Sequence, residues 1–270
     1  MNKLTHDQIV LRQFGEQAQA YLHSAVHSAG PELAELAEAV TQIPQARVLD
    51  LGCGGGHVSF QVAPLAEFVV AYDLSQAMLD AVAASAAAQK LGNIHVRQGA
   101  AEQLPFADES FDFVFSRYSA HHWYDPLQAL REVRRVLKPG GRVAFVDVAS
   151  PGMALLDTYL QAVELLRDTS HVRDYSAAEW CDMFGSAGLV VSGYRMQKLH
   201  LEFGSWVERM RTPDVMANAI RKLQQDVSAD VKSYFEIEGD GSFTTDVIVL
   251  WAVVDPCSPD AEALAERDYE

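Results

Sequence analysis

The chain has 270 residues, 49% of them apolar, with 21 Lys and Arg against 37 Asp and Glu and a formal net charge of −16. That length suits one large α/β domain or two small ones, and that charge argues against DNA or RNA partners, which are held by clustered Lys and Arg on phosphates. No run reaches the ~20 apolar residues of a membrane span, the charged N-terminal stretch lacks a signal-peptide core, and three scattered cysteines, Cys53, Cys181 and Cys257, suit neither a disulfide framework nor a zinc site, so the expectation is a cytoplasmic protein with no metal and no integral membrane association.

In chain order, residues 5–43 carry apolar positions at three- and four-residue spacing and read as two helices broken at Gly30-Pro31. "ARVLDLGCG" is a short apolar run ending in glycines, as a buried parallel strand does. A short helix follows, then a second strand in "FVVAYDLS", Phe68 to Ser75. "QAMLDAVAASAAAQKLG" reads as a helix by its alanine content, closed by Gly92. "NIHVRQG" and "SFDFVFSRYS" are strands three and four, and "LQALREVRRVLKPGG" is a helix ended by Pro139-Gly140-Gly141. The basic charges of Leu130 to Arg142 fall at helical spacing with Glu132 among them, which reads as a solvated helix face. "RVAFVDVAS" is the fifth strand. The steady alternation means βαβ units and a parallel sheet covered on both faces.

After Ala149 the rhythm changes. "SAAEWCDMFGSAGL" is a helix with a glycine stop and "VVSGYRMQKLHLEF" a strand. Residues 204–241 form a long, mostly helical, charged insertion, "SFTTDVIVLWAVV" is the last strand, and 255–270 is an acidic tail. The whole reads as one domain over 1–254.

The four glycines in "VLDLGCGGGHVS" lie at the carboxyl edge of strand one, where open parallel sheets bind ligands. A Walker loop is excluded, because His57 stands where its second glycine belongs and no Lys-Ser/Thr pair follows. A dinucleotide fingerprint wants glycine at 57 for helix–strand packing, which His57 would crowd. The pattern that fits is Asp50-x-Gly52-x-Gly54-x-Gly56, which brings bare backbone to a ligand without demanding a phosphate. Asp73, ending strand two, can accept both hydroxyls of an unphosphorylated ribose.

With "AYDLSQAML", "AAEQLPFADESFDFVFSRYSAHHW" and "LREVRRVLKPGGRVAFVD", these stretches span residues 46–148, and the chain resembles the class I S-adenosylmethionine-dependent methyltransferases. Among them it is similar to the ubiquinone/menaquinone-biosynthesis-type enzymes and their small-molecule relatives. The resemblance implies a Rossmann-like, doubly wound α/β sheet of seven strands in the order 3-2-1-4-5-7-6, with strand seven antiparallel. It implies S-adenosyl-L-methionine as cofactor, S-adenosyl-L-homocysteine as product, and a small-molecule acceptor. Gly52, Gly54 and Gly56 would approach the methionine and ribose part, and Asp73 the ribose hydroxyls. Leu74 and Met78 would pack on adenine, and Ala101 and Glu102 would face its edge. Ser116 would turn its carbonyl to the methionine amine, with Asp50 near the same ammonium. Tyr21, in "FGEQAQAY", would belong to a segment folded over the cofactor. An acid common in the family is replaced here by Ala100.

The candidates for chemistry on the acceptor are His122, His171, Arg173 and Tyr118. His121-His122-Trp123 follows strand four at the mouth of the site, where one histidine could be a base or both could shape the loop. In "RDTSHVRDYS", His171 and Arg173 could hold an acidic or phenolic acceptor, or the segment could be a capping turn with Ser176 and Glu179 as its capping box. Tyr118 suits a pocket wall and Cys53 a small filler. Methyl transfer is an in-line displacement that rests on positioning and water exclusion, and it needs a base only if the acceptor arrives protonated. "SRYS" at the end of strand four lacks the Asn/Asp-Pro-Pro-aromatic form used for nucleobase or glutamine nitrogen, which argues against those acceptors; the expectation is C- or O-methylation, with the residues leaving C-, O- and N-acceptors undecided. A nucleotide-linked oxidoreductase and a non-catalytic S-adenosylmethionine-binding protein are the alternatives. The insertion at 204–241 could be ordinary packing, or a lid with Trp206 and Met210 facing the acceptor and Arg209 or Arg211 near an acidic group.

Overall fold

The structure is a computed structural model and describes residues 4–15 and 30–255. Its centre is a seven-stranded sheet in the order β3-β2-β1-β4-β5-β7-β6, as the resemblance implies. The strands are β1 (Arg47–Leu51), β2 (Phe68–Asp73), β3 (Ile94–Gln98), β4 (Phe111–Arg117), β5 (Leu137–Ala149), β6 (Leu189–Leu201) and β7 (Phe243–Val254). The first five are parallel, and β7 runs antiparallel between β5 and β6.

Strand alternation divides the core between two faces. Leu49 and Leu51 of β1 and Val114 of β4 enter one cluster, with Leu130, Val133, Trp180 and Phe184 of the helices above. Val48, Phe113 and Phe115 enter the other, under Leu33, Leu36 and Val40. The helices over the first face are α5 (Pro126–Val136) and α7 (Ala177–Ser186), and over the second α2 (Pro31–Thr41) and α3 (His57–Val62). α1 (His6–Gly15) touches α4 (Gln76–Ala88), whose N-terminus is capped by the Ser75 side chain. α7 begins with the expected capping box of Ser176 and Glu179.

Two expected boundaries move. α4 stops at Ala88, well before Gly92, and Lys90 takes the left-handed turn at φ +61°. α5 stops at Val136, and Leu137 already pairs with Phe111. Pro139 disfavours helix at Lys138, so the chain turns extended before the glycines are reached.

α6 (Ala154–Arg167) follows β5, and the insertion folds into α8 (Phe203–Arg209), α9 (Asp214–Asp226) and α10 (Ala229–Tyr234). Trp206, Ile220, Val231 and Phe235 from these helices pack with Leu156, Leu160 and Val163 of α6 into a third apolar cluster. The insertion therefore extends the core.

A buried ion pair joins the layers. Arg117, at the end of β4, donates to Glu32 of α2 at 2.7 Å, and Gln197 of β6 donates to the other Glu32 oxygen at 3.1 Å. Burial opposes the Glu32 charge, yet the Arg117 and Gln197 hydrogen bonds hold its carboxyl below the ordinary value.

The last glycine of the loop, Gly56, has a different role from the one the resemblance implies. Gly56, at φ +76°, is the N-cap of α3, and a Cβ there would lie 2.9 Å from Val82 of α4. It does not line the cavity described below; it lets α3 and α4 approach. Gly56→Ala is expected to cost about 2–4 kcal/mol, left-handed strain plus overpacking, measured as a lowered urea midpoint with an unchanged m-value.

Candidate functional site

The loop after β1 is pulled against β2 by two hydrogen bonds, from the Gly52 and Cys53 N–H groups to the Tyr72 carbonyl at 2.8 and 3.0 Å. The Gly54 N–H then donates to Asp73 Oδ2 at 2.9 Å, and the Ser75 N–H to Oδ1 at 2.8 Å. A carboxylate has about four acceptor sites, so Asp73 keeps capacity for further donors. Burial pushes its carboxyl above the ordinary range against the pull of those two N–H groups. Gly54 has φ +48° and no atom within 4 Å of where its Cβ would stand, so the space over it is cavity.

That cavity encloses about 1060 Å³, open to solvent, at the carboxyl edge of β1, β2 and β4. Asp50, Gly52, Gly54, Asp73, Leu74, Met78, Ala101 and Glu102 all line it, together with Asp7, Val10 and Phe14 of α1. Asp50 is buried and accepts from the Ser59 N–H at 3.0 Å and hydroxyl at 2.6 Å; burial, opposed by those bonds, pushes its carboxyl up to about 6. Glu102 accepts from the Asp125 N–H at 3.2 Å. Cys53 also lines the wall, with its thiol pushed well up by burial. Tyr21 lies outside the described residues. Ser116 does not line the cavity; β4 ends at Arg117, and Arg117, Tyr118 and Ser119 reach the wall instead. A glycine that leaves open space and a buried carboxylate with spare acceptor capacity suit a nucleoside with free ribose hydroxyls.

A second pocket of about 590 Å³ adjoins the first, and Phe14, Tyr118 and His122 line both. Its other walls include His121, Glu164, Arg167, Asp168 and Asp174, with Trp206, Arg209 and Met210 from the insertion. Tyr118 sits at φ +52° under the Arg117 guanidinium, 4.8 Å from the ring centre, and burial pushes its phenol up. The two adjacent histidines diverge in state. Burial opposes charge on His121, but Asp147 accepts from its Nδ1 at 2.6 Å and raises it to about 9. Burial and the neighbouring His121 charge drive His122 down to about 3. His122 Nδ1 lies 3.1 Å from the Ser170 carbonyl, which can only accept, so Nδ1 carries the proton and Nε2 a lone pair.

Two of the four expected acceptor residues do not reach either pocket. His171 donates to the Gln161 side chain at 3.0 Å and is driven down to about 2 by burial and by His121. Arg173 is neutralised by Asp157 and Glu179, each at 3.1 Å, and braces the capping turn. The groups that sequence reasoning missed are Asp147, Asp168 and Asp174. The last two stand in the same polar stretch as His171 and Arg173, and the signal available was its density of charge, which does not say which side chains turn inward.

The parallel sheet with its antiparallel β7 and the glycine loop over Asp73 are the architecture of a nucleoside-dependent methyltransferase, and the comparisons agree. Residues 49–145 match the family described as "Methyltransferase domain". The chain is 54% identical over 199 residues to the uncharacterized protein YafE of Escherichia coli, covering 74% of this chain and 96% of that one. It is 35% identical over 200 residues to the uncharacterized methyltransferase YcgJ of Bacillus subtilis, covering 74% and 79%. The crystal structure of YcgJ superposes with a TM-score of 0.79 at 32% identity, over 83% of this chain and 97% of that one. The ubiquinone/menaquinone biosynthesis C-methyltransferase UbiE of Geotalea daltonii is 35% identical over 119 residues, 42% of this chain and 49% of its own. The chain belongs to the class I S-adenosylmethionine-dependent methyltransferases and is an enzyme of that class. None of the helices among the described residues is long and apolar enough to cross a membrane.

The His121–Asp147 pair gives stability a pH signature. A histidine raised from 6.5 unfolded to about 9 folded stabilises fully below 6.5 and loses that contribution as pH rises through about 9. The stability gap between the wild type and Asp147→Asn, from urea melts across that range, should be largest below pH 6.5, at about 3 kcal/mol, and close toward high pH. A gap that widens with pH would show the pair to be neutral.

Proposed function

We propose that this methyltransferase holds S-adenosylmethionine in the glycine-loop cavity and transfers its methyl group to a small-molecule acceptor bound in the adjoining pocket. The observation that carries the reading is the shared wall: Phe14, Tyr118 and His122 line both spaces, so two ligands there would meet across them. Bound in the first cavity, the cofactor supplies an electrophilic methyl on a sulfonium. Asp73 takes the ribose hydroxyls, Leu74 and Met78 form the apolar wall for adenine, and Ala101 and Glu102 flank its edge. Gly52 and Gly54 give the methionine part close access to the backbone, and Asp50 supplies negative charge toward its ammonium.

The insertion acts as a lid as well as a core element. Trp206 and Met210, both buried, close the acceptor pocket on the side away from the glycine loop. Gln13 of α1 donates to the Met210 carbonyl at 2.8 Å, and His6 donates to the His122 carbonyl at 2.7 Å, so α1 spans both ligand spaces. Closing such a site keeps water from the sulfonium and holds the reactants in line.

Calorimetry should show S-adenosylhomocysteine binding and no NAD binding. Asp73→Ala should weaken that binding at least about tenfold, since each charge-assisted hydrogen bond is worth about 1.5–3 kcal/mol; a change below about threefold would place the ribose elsewhere. Met210→Trp should keep S-adenosylhomocysteine affinity and melting temperature. It should lower labelled-methyl incorporation from a metabolite extract at least about tenfold by filling the acceptor pocket. Undiminished incorporation would mean that the acceptor binds on the other side of His122.

A further inference from the structure

Two buried carboxylates in the wall of the second pocket each keep an oxygen with no hydrogen-bond donor. Asp168 is 2% exposed, and its Oδ1 is occupied by the Ser170 N–H at 2.8 Å and hydroxyl at 2.7 Å. Its Oδ2 is buried with no partner. The group facing that oxygen is His122 Nε2, 4.0 Å away, which bears a lone pair because Nδ1 donates to Ser170. Two acceptors thus confront one another across a gap too long for a direct bond and with no proton between them. In the same pocket Asp174, 1% exposed, has a second orphaned oxygen, Oδ2. Of the cations in the wall, Arg167 pairs with Glu164 at 3.1 Å and His121 with Asp147 at 2.6 Å, Arg209 has a partner of its own, and none of the three donates to either orphaned oxygen. A buried carboxylate oxygen left without a donor is costly, and a site that keeps one is built to be completed by something else.

We propose that Asp168 Oδ2 and His122 Nε2 together bind the proton-bearing heteroatom of the methyl acceptor, which is therefore a compact molecule with a hydroxyl or amino group at its reacting end. This rests on the two-pocket reading above. Asp168 is the group that fixes the acceptor, its own orientation set by Ser170. In the transfer the heteroatom lone pair forms the bond to the methyl carbon, and the carbon–sulfur bond breaks with its electron pair left on sulfur. A methylated hydroxyl is an oxonium, far more acidic than its parent, so its proton passes to His122 Nε2 as the new bond forms, weak base though His122 is, and the Asp168 carboxylate faces the imidazolium. A methylated amine is an ammonium that keeps its proton, and the Asp168 carboxylate faces that positive charge. His122, held neutral in the resting site by burial and by the charge on His121, is ready to take the oxonium's proton.

The experiment compares the wild type with Asp168→Asn, whose amide nitrogen would itself donate to His122 Nε2 and close the gap. S-adenosylhomocysteine calorimetry comes first. If the wild type fails to bind, the cofactor reading falls and this proposal with it; if both bind alike, the comparison isolates the acceptor. In ¹⁵N-histidine spectra of the complex, His122 should show an unprotonated Nε2. That resonance should shift on saturable addition of catechol or of ethanolamine, which separate the hydroxyl and amino cases, but not of toluene. The shift should vanish in Asp168→Asn. With a metabolite extract and labelled donor, incorporation should fall roughly 10- to 100-fold in Asp168→Asn, the loss of one hydrogen bond to a charged group. A protonated Nε2 in the complex, no response to either probe, or an Asp168→Asn variant that methylates as the wild type does would each overturn the proposal.

Discussion

The single hydrogen bond from the Gly54 N–H to Asp73, 2.9 Å long, ties the loop after β1 to the end of β2, and the site depends on it. The Gly52 and Cys53 N–H bonds to the Tyr72 carbonyl hold the start of the turn to β2, and without the Gly54 bond the rest of the turn would have no fixed distance from the Asp73 carboxylate that lines the cavity. The bond is possible because two features coincide. The left-handed backbone at Gly54 aims its N–H sideways at the neighbouring strand end, and the parallel register of β1 and β2 brings both strand ends to the same edge. The remaining lining residues follow from where the next strand ends and helix starts lie on that edge.

Behind this edge sits an unusual concentration of buried charge. Glu32 with Arg117, His121 with Asp147 and Glu164 with Arg167 each pair within 3.1 Å, and Asp50, Asp168 and Asp174 are buried beside them. Buried pairs are costly to form and weak as a source of net stability. They gather around the two adjoining pockets rather than in the three apolar clusters, and there they set one another's protonation. His121 and His122 show the effect. They are neighbours in the chain with rings 4.1 Å apart, and they are pushed in opposite directions because only one of them has a carboxylate within hydrogen-bonding distance.

Much of the fold was legible in the sequence, for definite reasons. Short continuous apolar runs and an alanine-rich stretch are local signals, and the glycine loop with Asp73 marks one edge of the sheet without any tertiary information. What was not legible depends on register at the scale of one residue or on partners distant in the chain. Ser116 and Arg117 are equally plausible ends of a strand, and only the pairing with β5 decides which reaches the cavity. Gly54 and Gly56 look alike in the motif, yet one faces open space and the other Val82. Arg173 has the chemistry of an anion site until Asp157 and Glu179 are seen beside it. Asp168 stands two residues from Ser170 and far in sequence from His122, and its meaning appears only when the loop after α6 folds against the loop after β4.

The reach of α1 bears on turnover. This ten-residue helix lines the glycine-loop cavity through Asp7, Val10 and Phe14, meets the histidine loop through His6 and is fastened to the insertion through Gln13. None of its residues is buried; it is held by polar contacts, by Phe14 edge-on to His122 with ring centres 4.9 Å apart, by His6 beside Tyr124, and by Phe14 against Met78 and Ala81 of α4. A cover attached so lightly opens more readily than the core it rests on. With methyl donor and acceptor in the two spaces as proposed, one opening of a cover over both would free both ligands and couple product release to recharging with a new methyl donor. Sequence changes at this N-terminal cover would therefore alter the steady-state rate without altering the bond-making step.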